Sequence, residues 1–328
     1  MFIAGHREKI MKQKIFGALY GAIVGDALGV PVEFRLRNEL KEKPVKDMLG
    51  YGTYNLPKGS WSDDSSMILC LADSIGKLKS IDYEDIMKRF WKWCRHSKYT
   101  PDNYTFDVGR TCYAALMNYH NKMKPVNCGL KTEKDNGNGS LMRISPVPFY
   151  LFKNFGENAM EKQEAFELIG NVSKLTHAHE IVVLGCDIYC SIMVEILKGA
   201  RDKSDIQGYG LSKIGAFVRN NPEFEYANEK YDRMFHISFK NIPENEIKSS
   251  GYVVDTLEAA FWCFLNTENY ADCVLKAVNL GSDTDTVACV AGSIAGAYYG
   301  EIPEEWIKSI RNKKLVDNII NQFAEAVV

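Results

Sequence analysis

Ile15-Phe16-Gly17-Ala18-Leu19-Tyr20-Gly21-Ala22-Ile23-Val24-Gly25-Asp26-Ala27-Leu28-Gly29 sets a glycine at every fourth position of an otherwise apolar run. Residues four apart share one face of a helix. Glycine in a helix interior costs up to about 1 kcal/mol relative to alanine, so its repeated use predicts close approach of another backbone. A second stripe of small residues, Ala288, Gly292, Gly296 and Gly300, stands near the other end of the chain, and the two are expected to pack together. The length and small-residue spacing of the stretch Ile15 to Phe34 also suit a membrane-spanning helix. Asp26 and Glu33 fall inside it, however, and carboxylates are costly in hydrocarbon, so we read it as a core helix of a protein that does not enter a membrane.

Outward from this run, apolar residues recur at three- and four-residue spacings over 64–76, 84–95, 106–120, 160–175, 180–198, 253–266, 270–280 and 285–299, and alternating strand patterns are scarce. The predicted fold class is all-α. No Pro/Gly/Ser-rich linker divides the 328 residues, so one domain is expected over 12–328, behind an N-terminal extension of 1–11 in which Met11 is an alternative start. Residues 201–250 are polar, with a helical signal only at Leu211 to Val218, and read as a peripheral excursion. Hydrophobic residues at 46% supply ample core, and a formal charge of −2 argues against general nucleic-acid or membrane-surface binding, so a small ligand is expected. Nine cysteines without a CxxC pair read as reduced core residues of a cytoplasmic protein, and Met1 to Lys14 is too polar and charged for a secretory signal.

Two acidic dyads carry the chemistry. Ser62-Asp63-Asp64-Ser65 and Asp283-Thr284-Asp285-Thr286 each run at once into an apolar helical stretch, which places both near helix N-termini, where negative charge is favoured. An N-cap accounts for either cluster alone equally well. Taken together, the four carboxylates with the Ser62 and Thr286 hydroxyls form an all-oxygen donor set, suited to Mg²⁺, Mn²⁺ or Ca²⁺ rather than Zn²⁺ or copper. Four negative charges balance two divalent ions. The run Asp135-Asn136-Gly137-Asn138-Gly139-Ser140 cannot propagate a helix and exposes backbone N–H groups able to cradle phosphate or ribose oxygens.

Six blocks, in this order, resemble the ADP-ribosylglycohydrolases: Gly25-Asp26-Ala27-Leu28-Gly29-Val30-Pro31-Val32-Glu33, Ser62 to Ser65, Asn136 to Arg143, Thr176-His177, Gly251 to Glu258, and Gly281 to Thr286. They span about 12 to 325, far more specific than any single motif. The resemblance implies a multi-helix orthogonal bundle with a dinuclear Mg²⁺ or Mn²⁺ site in a central cleft. It implies hydrolysis of the glycosidic bond between ADP-ribose and a modified acceptor, with ADP-ribose as product. A protein arginine is the expected acceptor, with serine or a small ADP-ribosyl compound as alternatives. On it, Ser62, Asp63 and Asp64 ligate from one side and Asp283, Asp285 and Thr286 from the other. Glu33 acts as general acid or positions water, and Asp64 or Glu33 activates that water. The loop Asn136, Gly137, Asn138, Gly139 and Ser140 contacts ADP-ribose, His177 meets ribose or phosphate unless it is a helix cap, and Asp26 orients loop and ligands. Tyr252 is a candidate for stacking on adenine or lining the cleft, while Met142 and Arg143 are expected to lock the loop to the core. Many relatives carry Thr where this chain has Ser62, so the hydroxyl is retained. A dinuclear-metal phosphatase or nucleotide pyrophosphatase, and a non-catalytic crystallin-like relative, are the competing readings.

Overall fold

The computed structural model describes residues 2–328, with side chains from Gly5 onward. Among the described residues there are fifteen α-helices, and the only pairing of extended backbone is in isolated bridges. They run α1 (Phe2–Gly29), α2 (Arg37–Glu42), α3 (Asp63–Leu78), α4 (Tyr83–His96) and α5 (Arg110–His120). Then come α6 (Val147–Phe155), α7 (Gln163–Lys174), α8 (Glu180–Leu197), α9 (Lys203–Asn220) and α10 (Glu225–Lys230). Last are α11 (Val253–Leu265), α12 (Tyr270–Val278), α13 (Thr284–Tyr299), α14 (Glu304–Ser309) and α15 (Lys313–Val327).

The glycine stripes meet. A Cβ added at Gly17 would collide with the Gly296 carbonyl, one at Gly21 with the Gly292 carbonyl, and one at Gly25 with the Ala288 carbonyl. The pairing runs 17 to 296 and 25 to 288, so α1 and α13 are antiparallel and touch through backbone. Gly300 is not part of this seam. It caps α13 in the left-handed region at φ 73°, its N–H bonded to the Gly296 carbonyl, and the seam's last contact is instead Gly29 against Asp285 and Thr284. The Thr284 hydroxyl donates to the Gly29 carbonyl at 2.8 Å. The C-terminus of α1 is thereby fixed beside the N-terminus of α13, which brings Glu33 to the Asp283 dyad. Although α1 is long and apolar enough to cross a membrane, 94% of its most apolar window is buried among other helices.

Three expectations shift. The first helix begins at Phe2, so residues 2–11 are continuous with the core helix rather than a separate extension. The excursion over 201–250 holds the whole of α9, longer than Leu211 to Val218. It is tied to the core by the buried Tyr231 hydroxyl on the Ile181 carbonyl at 2.9 Å and the Ser191 hydroxyl on the Gly210 carbonyl at 2.8 Å. Gly208, Gly210 and Gly215 had diluted its apolar period. Finally, α5 starts at Arg110, not 106, and the preceding segment is irregular, with Tyr99, Asn103 and Asp107 at positive φ.

Candidate active site

Three helix ends meet at one place: the C-terminus of α1 and the N-termini of α3 and α13. The N-cap of α3 is Ser62, whose hydroxyl accepts the Asp64 N–H at 3.3 Å. The Asp26 carboxylate on α1 does most of the capping. It accepts the Ser62 N–H at 3.0 Å, the Ser65 N–H at 3.1 Å and the Ser65 hydroxyl. Burial pushes Asp26 up to about 6, against the lowering effect of these donors. Capping thus falls to Asp26 and Ser62, which leaves the Asp63 and Asp64 side chains uncommitted. The Thr286 hydroxyl donates to Asp64 Oδ1 at 3.3 Å, across 222 residues of sequence, while Asp64 Oδ2 is buried with no partner.

At α13, Asp283 holds the N-cap position without a side-chain cap bond. Its Oδ2 accepts from Asn138 Nδ2 at 2.8 Å, and Asp285 Oδ1 accepts the Thr286 N–H at 2.9 Å. Oxygens of Glu33, Asp283 and Asp285 lie within 4.8 Å of one another. Asp63 and Asp64 share with Glu33 and Asp283 the lining of a cavity of about 250 Å³, which also includes Thr286, whereas Asp285 and Ser62 lie behind it. Burial, and then the neighbouring carboxylates, hold Asp63, Asp64 and Asp285 well above the usual carboxylate range. The same causes push Glu33 up to about 9, with Asp107 and Asp283 as its repelling neighbours, and Glu33 Oε2 is a second buried oxygen without a partner.

The Asn-Gly loop forms another wall. Gly137, Asn138 and Gly139 line the cavity, fixed by the Asn138 N–H on the Gly251 carbonyl at 3.0 Å and by Asn138 Nδ2 on the Thr256 hydroxyl at 2.9 Å. A Cβ at Gly139 would meet the His177 ring at 2.7 Å, so only glycine lets the loop pass. His177 lines the cavity, its Nδ1 2.8 Å from the Thr176 hydroxyl. Burial and Arg143 push it down to about 3, so it stays neutral. The capping histidine is His179, which accepts the Ile181 N–H at the start of α8. Arg143 is fully buried and donates to the Gly139 carbonyl and to Thr176 Oγ1, locking the loop as expected. Met142 reaches the lining itself.

Three expected ligand contacts lie outside that lining. Ser140 is fully buried, its hydroxyl 2.8 Å from Ser173 Oγ. Asn136 contributes its carbonyl to the Val253 N–H. Tyr252 pairs its backbone with Gly137 as the N-cap of α11. Conversely, sequence reasoning missed Tyr54, Asp107 and Arg110. Asp107 and Tyr54 lie against Glu33, and burial raises both. Arg110 is the one always-charged cation of the lining, held by Asp135 Oδ1 at 2.8 Å. The signal that could have found Asp107 and Arg110 is the Asp107-Val108-Gly109-Arg110 punctuation ahead of α5; Tyr54 carries none. Two wider clefts of about 530 Å³, one between α1 and α13 near Gly300 and one between α3, α4 and α15, hold no comparable set of carboxylates.

The all-helical bundle gathers buried carboxylates from distant parts of its chain around one cleft. The sequence profile of the ADP-ribosylglycohydrolases matches residues 7–328, and the chain belongs to this enzyme family. It is 33% identical to the ADP-ribosylarginine hydrolase Tri1 of Serratia proteamaculans (strain 568), over 96% of this chain and 80% of that protein. It is 28% identical to the ADP-ribosyl-[dinitrogen reductase] glycohydrolase of Rhodospirillum rubrum, over 96% and 95%. A solved structure described as an ADP-ribosylglycohydrolase-related protein complex superposes with a TM-score of 0.78 at 28% identity, covering 98% of this chain and all of the other.

Proposed function

We propose that the protein is a cytoplasmic, divalent-cation-dependent hydrolase that releases ADP-ribose from ADP-ribosylated arginine. Serine or a small ADP-ribosyl compound is the lesser acceptor. The observation that carries this reading is the buried, unpartnered Asp64 Oδ2, crowded by neighbouring carboxylates in a cavity that continues into the Asn-Gly loop. Leaving such an oxygen unmatched costs about 1–3 kcal/mol, more if charged, and a cation offsets that cost.

The residues fit two Mg²⁺ or Mn²⁺ ions. The donors are all oxygen, and the ligands would be Asp63, Asp64, Asp283, Asp285 and Thr286, with Ser62 offering the second lone pair of its hydroxyl. When bound, the ions supply charge that fixes the distal ribose diol and orients a water for attack at C1. Glu33, kept protonated by burial, donates a proton to the departing acceptor nitrogen as the bond passes through an oxocarbenium-like state. Asp64 receives the water's proton. Asp107 and Tyr54 hold the Glu33 carboxyl in place. Arg110 faces the pyrophosphate, the Gly137 to Gly139 backbone passes close to the ribose, and neutral His177 offers Nε2 to a ribose hydroxyl. A 250 Å³ cavity is below the range of about 300–1,000 Å³ for drug-sized ligands, so it takes the distal ribose and leaves the adenosine outside, on the side of the half-buried Tyr252.

Nine free thiols, none fully exposed, support the cytoplasmic placement. Incubation with ADP-ribosyl-arginine and Mg²⁺, read by mass spectrometry, is expected to give intact ADP-ribose and arginine. AMP with a ribose phosphate would identify a pyrophosphatase instead, and no turnover would favour a structural role.

A further inference from the structure

From Lys88 to Lys98 the chain carries Lys88, Arg89, Lys92, Arg95 and Lys98 with His96, and no acid, in a protein whose formal charge is −2. A helix dipole favours cations in the last turn. That accounts for Arg95 and His96 in the last turn of α4, but not for Lys92 a turn earlier or for Lys98 beyond the C-cap at Ser97. Lys92, His96 and Lys98 all line the cleft of about 530 Å³ between α3, α4 and α15.

Two features separate this cleft from a scatter of surface lysines. Its one acid, Asp73, is buried and already matched, by Lys77 at 3.0 Å and by Arg89. Among the described residues these are the ion pairs of the lining, so Lys92 and Lys98 stand unmatched. The same network holds Tyr99, whose hydroxyl donates to Asp73 Oδ2 at 2.7 Å and accepts from Arg89 Nη1 at 2.8 Å. Tyr99 has φ 57°, a region that bulky residues rarely adopt and that persists where surrounding structure enforces it, often at ligand clamps. The facing wall is built on one face of α15. Leu315, Asn318, Ile319 and Gln322 recur there at three- and four-residue spacings and set two amides beside two aliphatic side chains.

We propose that this cleft is a second ligand site, for a nucleoside monophosphate. The two unmatched lysines balance the charge of about −1.5 to −2 that a phosphomonoester carries at neutral pH. The amides of Asn318 and Gln322 each offer a donor and an acceptor, and with Leu315, Ile319 and the Tyr99 ring they suit a planar base that has hydrogen-bonding edges. The volume falls within the range of about 300–1,000 Å³ for small-ligand sites. No residue of this lining belongs to that of the catalytic cavity, so the site stands apart from the glycohydrolase reading.

The test titrates AMP and ribose 5-phosphate into the full chain by calorimetry, alongside the double variant Lys92→Glu/Lys98→Glu. Both lysines are exposed and unmatched, so the fold is not at stake. The variant is expected to bind AMP about tenfold or more weakly, as reversal of two ligand-facing charges implies. Ribose 5-phosphate, which lacks the base, is expected to bind the unaltered chain about tenfold more weakly than AMP, within the worth of one stacked base. Hydrogen exchange locates the ligand: AMP should slow exchange around Lys98 and Tyr99 and along 315–322, in the unaltered chain and not in the variant. Equal AMP affinity in the two chains, or protection confined to the Gly137 to Gly139 loop, places AMP in the catalytic cleft and overturns the site. Equal affinity for AMP and ribose 5-phosphate reduces it to a phosphate patch and overturns the nucleoside assignment. Absence of binding at about 1 mM AMP overturns the proposal outright. None of these outcomes bears on whether the unaltered enzyme releases ADP-ribose.

Discussion

Along the contact between α1 and α13, the middle and the end obey opposite rules. In the middle, Gly17, Gly21 and Gly25 meet Gly296, Gly292 and Ala288 with no room for a methyl group, and every group there is satisfied by packing or helix hydrogen bonds. One turn further on, where α1 stops and α13 starts, Glu33, Asp283 and Asp285 crowd together, and Asp64 Oδ2 and Glu33 Oε2 have no partner. The seam is what makes the end possible. Backbone contact over several turns is stiff enough to hold like charges in proximity that would otherwise drive the helix ends apart. Close backbone packing in the seam thus stands next to unpartnered carboxylate oxygens at the mouth.

That contrast should separate variants sharply. The largest effect is expected at the mouth: Asp64→Asn and Asp285→Asn each remove one buried carboxylate from one of the two dyads and should abolish turnover. They should also abolish the Mg²⁺-induced rise in Tm, which reflects a stabilisation of about 2.7 kcal/mol at one hundred times Kd. Differential scanning fluorimetry with and without Mg²⁺ reads this, and an undiminished shift in either variant would count against a shared site. Next, Glu33→Gln should keep the Mg²⁺-dependent shift and lose about 10²–10⁴ in kcat, the usual worth of a general acid. Wild-type turnover in this variant would remove Glu33 from the chemistry.

At the seam, Gly292→Leu should cost at least the 1 to 3 kcal/mol, roughly, of an overpacked core, because its Cβ alone would strike the Gly21 carbonyl. It should also weaken Mg²⁺ binding at a distance. Gly300→Ala, with φ 73° but open space around it, should cost only about 1 kcal/mol and leave Mg²⁺ binding unchanged. Equal behaviour of the two variants would mean that the seam does not position the mouth.

A smaller, graded effect concerns pH. Burial raises Glu33 from 4.5 to about 9 and Asp26 from 3.8 to about 6. A carboxyl raised on folding favours the folded state fully below its unfolded value and loses that contribution as pH rises through the folded value. The chelated protein should therefore lose Tm progressively between about pH 4.5 and pH 9. With Mg²⁺ present the trend should flatten or reverse, because the ligands bind the ion deprotonated. A chelated Tm that climbs across this range would contradict the unsatisfied mouth.

Both regions were legible in sequence to different depths. The seam was visible because glycine at every fourth position of a helix is a net cost unless a second backbone lies against it, although Gly300 carried the period one turn past the contact it described. The dyads were visible because adjacent acids before an apolar run are conspicuous, yet the sequence alone could not tell a cap from a ligand. At α3 the structure shows only that Asp26, thirty-six residues away, shares the capping with Ser62. Asp107 escaped because it is a single acid in an irregular segment at φ 53°, and the apolar period of 106–120 absorbed it into a helix that begins only at Arg110. Ser140 misled for the opposite reason. It sits in a run of loop-forming residues, but its hydroxyl is drawn inward to Ser173, which no local pattern records. The amphipathic α15 was overlooked, though its apolar face packs on α3.

The central claim is that carboxylates from opposite ends of the chain share one cation site. Crystals of the full chain grown with Mn²⁺ and measured for anomalous scattering test it most directly. Density is expected between the Asp63–Asp64 and Asp283–Asp285 carboxylates, with two peaks about 3.5–4 Å apart if both ions bind. Density confined to one dyad, or absent from the cleft at saturating Mn²⁺, would contradict it.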